Sequence, residues 1–208
     1  MAIDRRQFLR LFSAASLAAI APIDQLVTVN RSKLSSPAFG FSFVVPAGWY
    51  CPTLEEIKQN LSKQTFVEGA QSEDEAQPTP LMSVYRHPEP YMGMNPAVVV
   101  YGDRYSDWML SPLDLANNYV DYFTTIVEDG HIVSRPRPTQ FGGIDVLECA
   151  ISYRAIVEED DFECHVIDLV RVVHHRDKVM FFLFEQSFDH SARADRAFAM
   201  IDDSVAFY

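Results

Sequence analysis

The chain has 208 residues, 48% of them hydrophobic and 15 of them phenylalanine, enough to build a sizeable core and too apolar for a disordered segment. Its formal charge is −12 at neutral pH and no basic run follows residue 10, which argues against nucleic acid as a partner and against an anionic membrane surface.

In chain order, the first feature is Arg5-Arg6 followed by Phe8, Leu9 and Arg10, then Leu11 to Ala21, which contains only Leu, Phe, Ser, Ala and Ile. A charged start, a short apolar stretch and small residues resemble a twin-arginine signal peptide. Residues 1–21 are expected to be that signal, 22–38 a connector and 39–208 one domain. Fewer than a dozen apolar residues are too short to cross about 30 Å of hydrocarbon, so no stable transmembrane anchor is expected. An amphipathic first helix is the competing reading, and it leaves Arg5, Arg6 and Arg10 ahead of a Ser/Ala segment with little to bury. The cut lies near Ala19-Ile20-Ala21, although Pro22 disfavours that junction and cleavage after Ala18 or Ala19 stays open. Losing the signal takes the charge from −12 to −14.

After a polar connector from Asn30 to Pro37, Phe39 to Pro46 reads as a strand rich in aromatic and β-branched residues. Thr53-Leu54-Glu55-Glu56 has the form of a capping box opening a short helix with Leu54, Ile57 and Leu61 on one face. Glu68 to Pro80 reads as an acidic loop. Leu81–Tyr85 and Ala97–Tyr101 are strand candidates, joined by an ordered, irregular loop with prolines at 88, 90 and 96. Ser111 and Pro112 begin the main helix, Gly130 is expected to end it, and Leu113, Ala116, Val120, Phe123 and Val127 form its inner face. Strands follow at 131–135, 144–157, 162–174 and 179–188, with turns at Gly142-Gly143 and Arg176-Asp177-Lys178. A last helix from Asp189 or Ser191 runs to the chain end with Ala194, Phe198, Ile201 and Val205 inward. This order is α+β, a mostly antiparallel sheet flanked by helices.

The three cysteines are Cys51, Cys149 and Cys164. A hairpin around Glu158 to Asp161 sets Val157 opposite Phe162 and Cys164 opposite Ala155, leaving Cys149 six residues away, roughly 20 Å. A disulfide between those two is too long. Any bridge must use Cys51, with Cys149 or Cys164, and three buried thiols are the preferred reading.

The chain resembles the PsbP-like superfamily in three places. They are Gly40-Phe41-Ser42-Phe43-Val44-Val45-Pro46-Ala47-Gly48-Trp49, the long meander from Phe141 through Glu185, and the C-terminal Phe198 to Phe207. The superfamily includes an extrinsic photosystem II subunit, a nuclear-import accessory factor and exported bacterial proteins. The resemblance implies an α/β/α sandwich and an accessory or binding role, and offers no shared catalytic residues to carry over.

The residues with chemical potential read as structural. His174-His175, with His165 nearby, lie on one strand where neighbours face opposite ways and cannot chelate together. Glu158-Glu159-Asp160-Asp161 lacks the glycine and alternating ligands of a calcium loop. Asp168 interrupts an apolar strand face and is expected to pair with Arg154 or Arg171. No serine sits in a nucleophile elbow. The best site candidate is an aromatic and methionine tract, Tyr85, Tyr91, Met92, Met94, Tyr101, Tyr105, Trp108 and Met109, of types enriched where proteins meet partners or apolar ligands; core packing beneath the loop is the competing reading. The expected function is a periplasmic or extracellular, non-enzymatic accessory or binding protein that meets the twin-arginine machinery and a periplasmic protein partner or apolar ligand. No catalytic residue, metal ligand or cofactor is assigned. The alternative is an exported enzyme or cofactor-carrying protein, because that route accepts folded, often cofactor-loaded chains.

Overall fold

Val179 to Phe184 is a continuous apolar run, the mark of a strand buried on both faces, and it lies in the middle of the larger of two antiparallel sheets. The computed structural model describes residues 28–30, 32–53, 56, 80–88, 94–105, 110–157, 162–188 and 192–208. The strands are β1 (Thr28–Asn30), β2 (Lys33–Ser36), β3 (Phe41–Val44), β4 (Met82–Tyr85), β5 (Ala97–Arg104), β6 (Glu128–Phe141), β7 (Ile144–Val157), β8 (Phe162–His175), β9 (Lys178–Ser187) and β10 (Ala206–Phe207). Helix α1 spans Pro112–Ile126 and α2 spans Ala192–Ser204. The order in the large sheet is β4-β5-β9-β8-β7-β6, and in the small sheet β1-β2-β3-β10.

Each face of the large sheet has its own cover. Leu115, Ala116, Tyr119 and Val120 of α1 close over Ile151, Val170 and Phe181. On the other face the small sheet and α2 bring Leu34, Phe41, Phe43 and Ile201 against Phe141, Phe182 and Phe184. Phenylalanine rings meet there edge to face, Phe41 and Phe141 with Phe182 at 5.1 and 5.0 Å, a geometry that satisfies the ring quadrupoles as well as burying area. Gly102 of β5 is required at this layer, since a Cβ on it would lie 2.8 Å from the Phe39 ring and 2.9 Å from Leu81.

The capping box at the end of the first segment is present: the Glu56 carboxylate accepts from Thr53 N–H at 2.7 Å and Thr53 Oγ1 accepts from Glu56 N–H at 3.3 Å. The rest of that expected helix and the Glu68–Thr79 loop lie outside the described residues. Ser111 caps α1 as its sequence requires, accepting from Asp114 N–H at 3.2 Å. The hairpin register is the expected one, with Val157 opposite Phe162 and Ala155 opposite Cys164.

Five expectations need correction. The stretch from Asn30 to Pro37 is not a connector: it turns back as β1–β2 and pairs with β3. Gly130 does not end the main helix, which stops at Ile126 with an extended Val127; the left-handed residue is Asp129, and Gly130 already belongs to β6. Ala116, Val120, Phe123 and Val127 pack on the core as expected and are joined by Leu115 and Tyr119, but Leu113 is 48% exposed, because the helix is rotated to seat Tyr119 on Phe181. Strand β6 runs on through Pro136 and Pro138 to Phe141, which an edge strand tolerates because one side needs no donors. The last helix stops at Ser204, and β10 then adds to β3.

A buried ion network fastens α2 to the sheet. The Arg171 guanidinium donates to Glu148 at 3.3 Å and to both Asp202 carboxylate oxygens, and lies 4.6 Å above the Phe141 ring. Arg137 reaches the other oxygen of Glu148 at 2.9 Å. Desolvation lowers the Arg171 pKa and the Glu148 carboxylate opposes that fall. Replacing the cation leaves Glu148 buried and partly unpaired. The variant Arg171→Met is therefore expected to lose about 3 kcal/mol of stability in urea unfolding, and a loss below about 1 kcal/mol would show that the network holds α2 only weakly.

Candidate functional site

The aromatic tract divides once it is placed on the fold. Tyr85 ends β4, Tyr101 lies on β5, Met94 precedes β5 and Tyr105 follows it, and all four are half-buried against the core beneath α1. The Tyr105 hydroxyl donates to the Leu110 carbonyl at 3.2 Å and its ring rests 4.3 Å from that of His174. The base of the proline loop is held by Asn95, which accepts from His87 N–H at 3.1 Å and donates to the His87 carbonyl at 2.9 Å. Tyr91, Met92, Trp108 and Met109 lie outside the described residues. The described members thus wall the core and keep only part of their surface exposed.

A second group of polar residues converges beneath α1. The antiparallel registers place Tyr85, Ala97, Glu185, Asp168, Ile151 and Ile132 in one row across all six strands, on the face that α1 covers. Asp168 and Glu185 are directly opposed in that row, so their Cβ atoms are about 5 Å apart. Asp168 has no exposed surface, and neither of its carboxyl oxygens has a hydrogen bond of full geometry. Glu185 keeps part of its surface, although its carboxyl is enclosed by neighbouring side chains.

This corrects the expected partner of Asp168. Arg154 is engaged by Glu128 and Glu163, and Arg171 by Glu148 and Asp202, so neither cation reaches Asp168. Its neighbour is another acid. Burial pushes the Asp168 carboxyl well above the carboxylate range, the negative charge of Glu185 adds to the rise, and the Tyr153 hydroxyl opposes it. Burial lifts Glu185 to about 7. Tyr119 and Tyr153 are pushed up by burial first and then by both carboxyls. Raised carboxyls can act as general acids, but a substrate cannot touch an Asp168 that has no exposed surface.

Glu185 was open to sequence reasoning. It continues the alternation Val179, Phe181, Leu183, and a turn at Arg176-Asp177 pairs His175 with Lys178, hence Asp168 with Glu185. The remaining candidates stay structural. His174 packs at a tilt against Tyr105, while His175 faces the opposite side near Phe207 at 5.4 Å. The acidic tip from Glu158 to Asp161 lies outside the described residues. Among the described residues, no group of three or more His, Cys, Asp or Glu is placed to hold a metal ion.

All three thiols are free. Cys149 and Cys164 lie on the α1 face, whereas Cys51 packs with the core on the other face, so the sheet separates it from both possible partners. Burial raises all three thiols, Cys149 to about 12.

No protein-family model matches the chain, and no curated protein matches it in sequence. Among solved structures it is similar to LpqN of Mycobacterium tuberculosis, described as involved in cell envelope biogenesis, with a TM-score of 0.50 and 12% identity over 80% of this chain and 82% of that one. It is also similar to the cyanobacterial PsbP, CyanoP, of Synechocystis sp. PCC 6803, with a TM-score of 0.46 and 16% identity over 91% of this chain and 95% of that one. The likeness to LpqN is one of fold: an α+β sandwich of antiparallel sheets and covering helices.

Unreduced protein alkylated in denaturant is expected to take up three labels, and native protein to protect Cys149. An intact mass lower by about 2 Da, with one label taken up, would contradict the placement of Cys51 across the sheet.

Proposed function

We propose that the chain is an exported, non-enzymatic accessory or binding protein of the cell envelope, carried by the twin-arginine machinery to the periplasm or beyond. The observation that carries this reading is the likeness in fold to LpqN, whose description places that protein in cell envelope biogenesis. Two further features support it. Arg5, Arg6, Phe8 and Leu9 resemble the export motif and lie outside the described residues, and no helix among the described residues is long and apolar enough to cross a membrane. Residues 1–21 are the proposed signal.

Both faces of the large sheet are filled by the chain's own side chains, which leaves edges and loops for recognition. The proposed contact surface is the tract of Tyr85, Tyr91, Met92, Met94, Tyr105 and Trp108, offered to a periplasmic protein or an apolar ligand. Aromatic rings anchored in a core lose little entropy when a partner covers their edges, which suits them to that role.

The test is the full-length chain expressed in a bacterium with a working twin-arginine system, beside the double variant Arg5→Lys/Arg6→Lys. The expected result is a periplasmic protein whose intact mass equals the cleaved polypeptide, with the variant retained inside. A mass carrying a cofactor would transfer the reading to an exported cofactor protein, and a full-length chain in the membrane fraction would replace it with an anchored one.

A further inference from the structure

Where the large sheet buries Glu148, it matches that carboxylate with the Arg171 guanidinium. Asp168 and Glu185 are instead two acids opposed across β8 and β9 under a helix. The groups facing them come from every neighbouring element: Tyr85 of β4, Tyr101 of β5, Tyr119 of α1 and Tyr153 of β7, with Cys149 and Cys164 on the same face. Among the described residues no cation acts on either carboxyl. Two carboxylates this close in a layer of aromatic rings repel each other and are poorly solvated, so at least one must hold a proton for α1 to sit on them.

We propose that Asp168 and Glu185 are a proton-sharing pair that ties the seating of α1 on the sheet to pH, closed when the pair holds its protons and loosened when both carboxyls ionise. Asp168 has no exposed surface and Glu185 as a residue keeps part of its own, so Glu185 is the nearer of the two to water. The direction follows from linkage. Both folded-state pKa values lie above the ordinary ones of 3.8 and 4.5, so the stabilisation is fully present below those values and is lost as pH rises through the folded-state values, for Glu185 between 4.5 and about 7. Tyr119 is the element of α1 that senses the change, since it lies within the field of both carboxyls.

The test compares thermal unfolding of the whole chain with that of Glu185→Gln and Asp168→Asn from pH 5 to pH 8. General repulsion among the surface acids lowers all three curves alike, so the comparison isolates the pair. The wild-type midpoint is expected to fall by about 5 °C more than that of Glu185→Gln over this range, and α1 amides are expected to lose about tenfold in exchange protection, corrected for intrinsic rates, in the wild type alone. Parallel curves for wild type and variants would overturn the proposal. If neither variant folds, carbon-detected titration of the wild-type carboxyls decides: a midpoint above pH 6 for at least one of the two supports the pair, and both titrating below pH 5 overturns it.

Discussion

Six strands with two apolar faces are stable in water only if both faces are covered, and this requirement organises the rest of the chain. Strand β9 states it most directly, because its residues from Val179 to Phe184 are buried whichever way they point. One face receives α1. The other receives a small sheet assembled from both ends of the described chain, with β10 pairing to β3, and then α2, fastened through Asp202 to Arg171. The glycine at 102 and the edge-to-face phenylalanines are consequences of fitting that second layer tightly against the first.

Much of this architecture is legible in the residues. Alternation and turn chemistry locate β7, β8 and β9 nearly to the residue, and the register around Val157 and Phe162 follows from hairpin counting alone. Ser111 and Pro112 mark the start of α1 because capping depends only on local groups. What escapes is whatever depends on distant partners. Residues 33–36 are polar enough to pass for a connector, and become a strand because β3 offers its edge. Leu113 satisfies the helical period yet stays exposed, since the rotation of α1 is set by Tyr119 settling on Phe181. The carboxyl of Asp168 looked as if it needed a cation, and the cations were already engaged elsewhere.

The candidate surface was partly readable for the same reason. An aromatic and methionine tract is visible in the sequence, but period and spacing do not say which rings point inward. Tyr85 and Tyr101 sit on strand positions that face α1, so their rings belong to the core first and to any partner second. A scaffold filled on both faces suits recognition through edges and loops, which is how the accessory role proposed for this chain would be carried out. Against that packed background the Asp168–Glu185 pair stands out, two acids opposed beneath α1, whereas the buried Glu148 has Arg171 as its counter-ion.

The central claim is that β9 is the doubly covered axis on which both layers depend, and native-state hydrogen exchange of the folded protein tests it most directly. Amides of Met180 to Phe184 and their β8 partners should exchange only through global unfolding, at least about tenfold more slowly than amides of the edge strand β6. If β9 exchanged as fast as β6, one of its faces would be open to water and the two-layer account would be wrong.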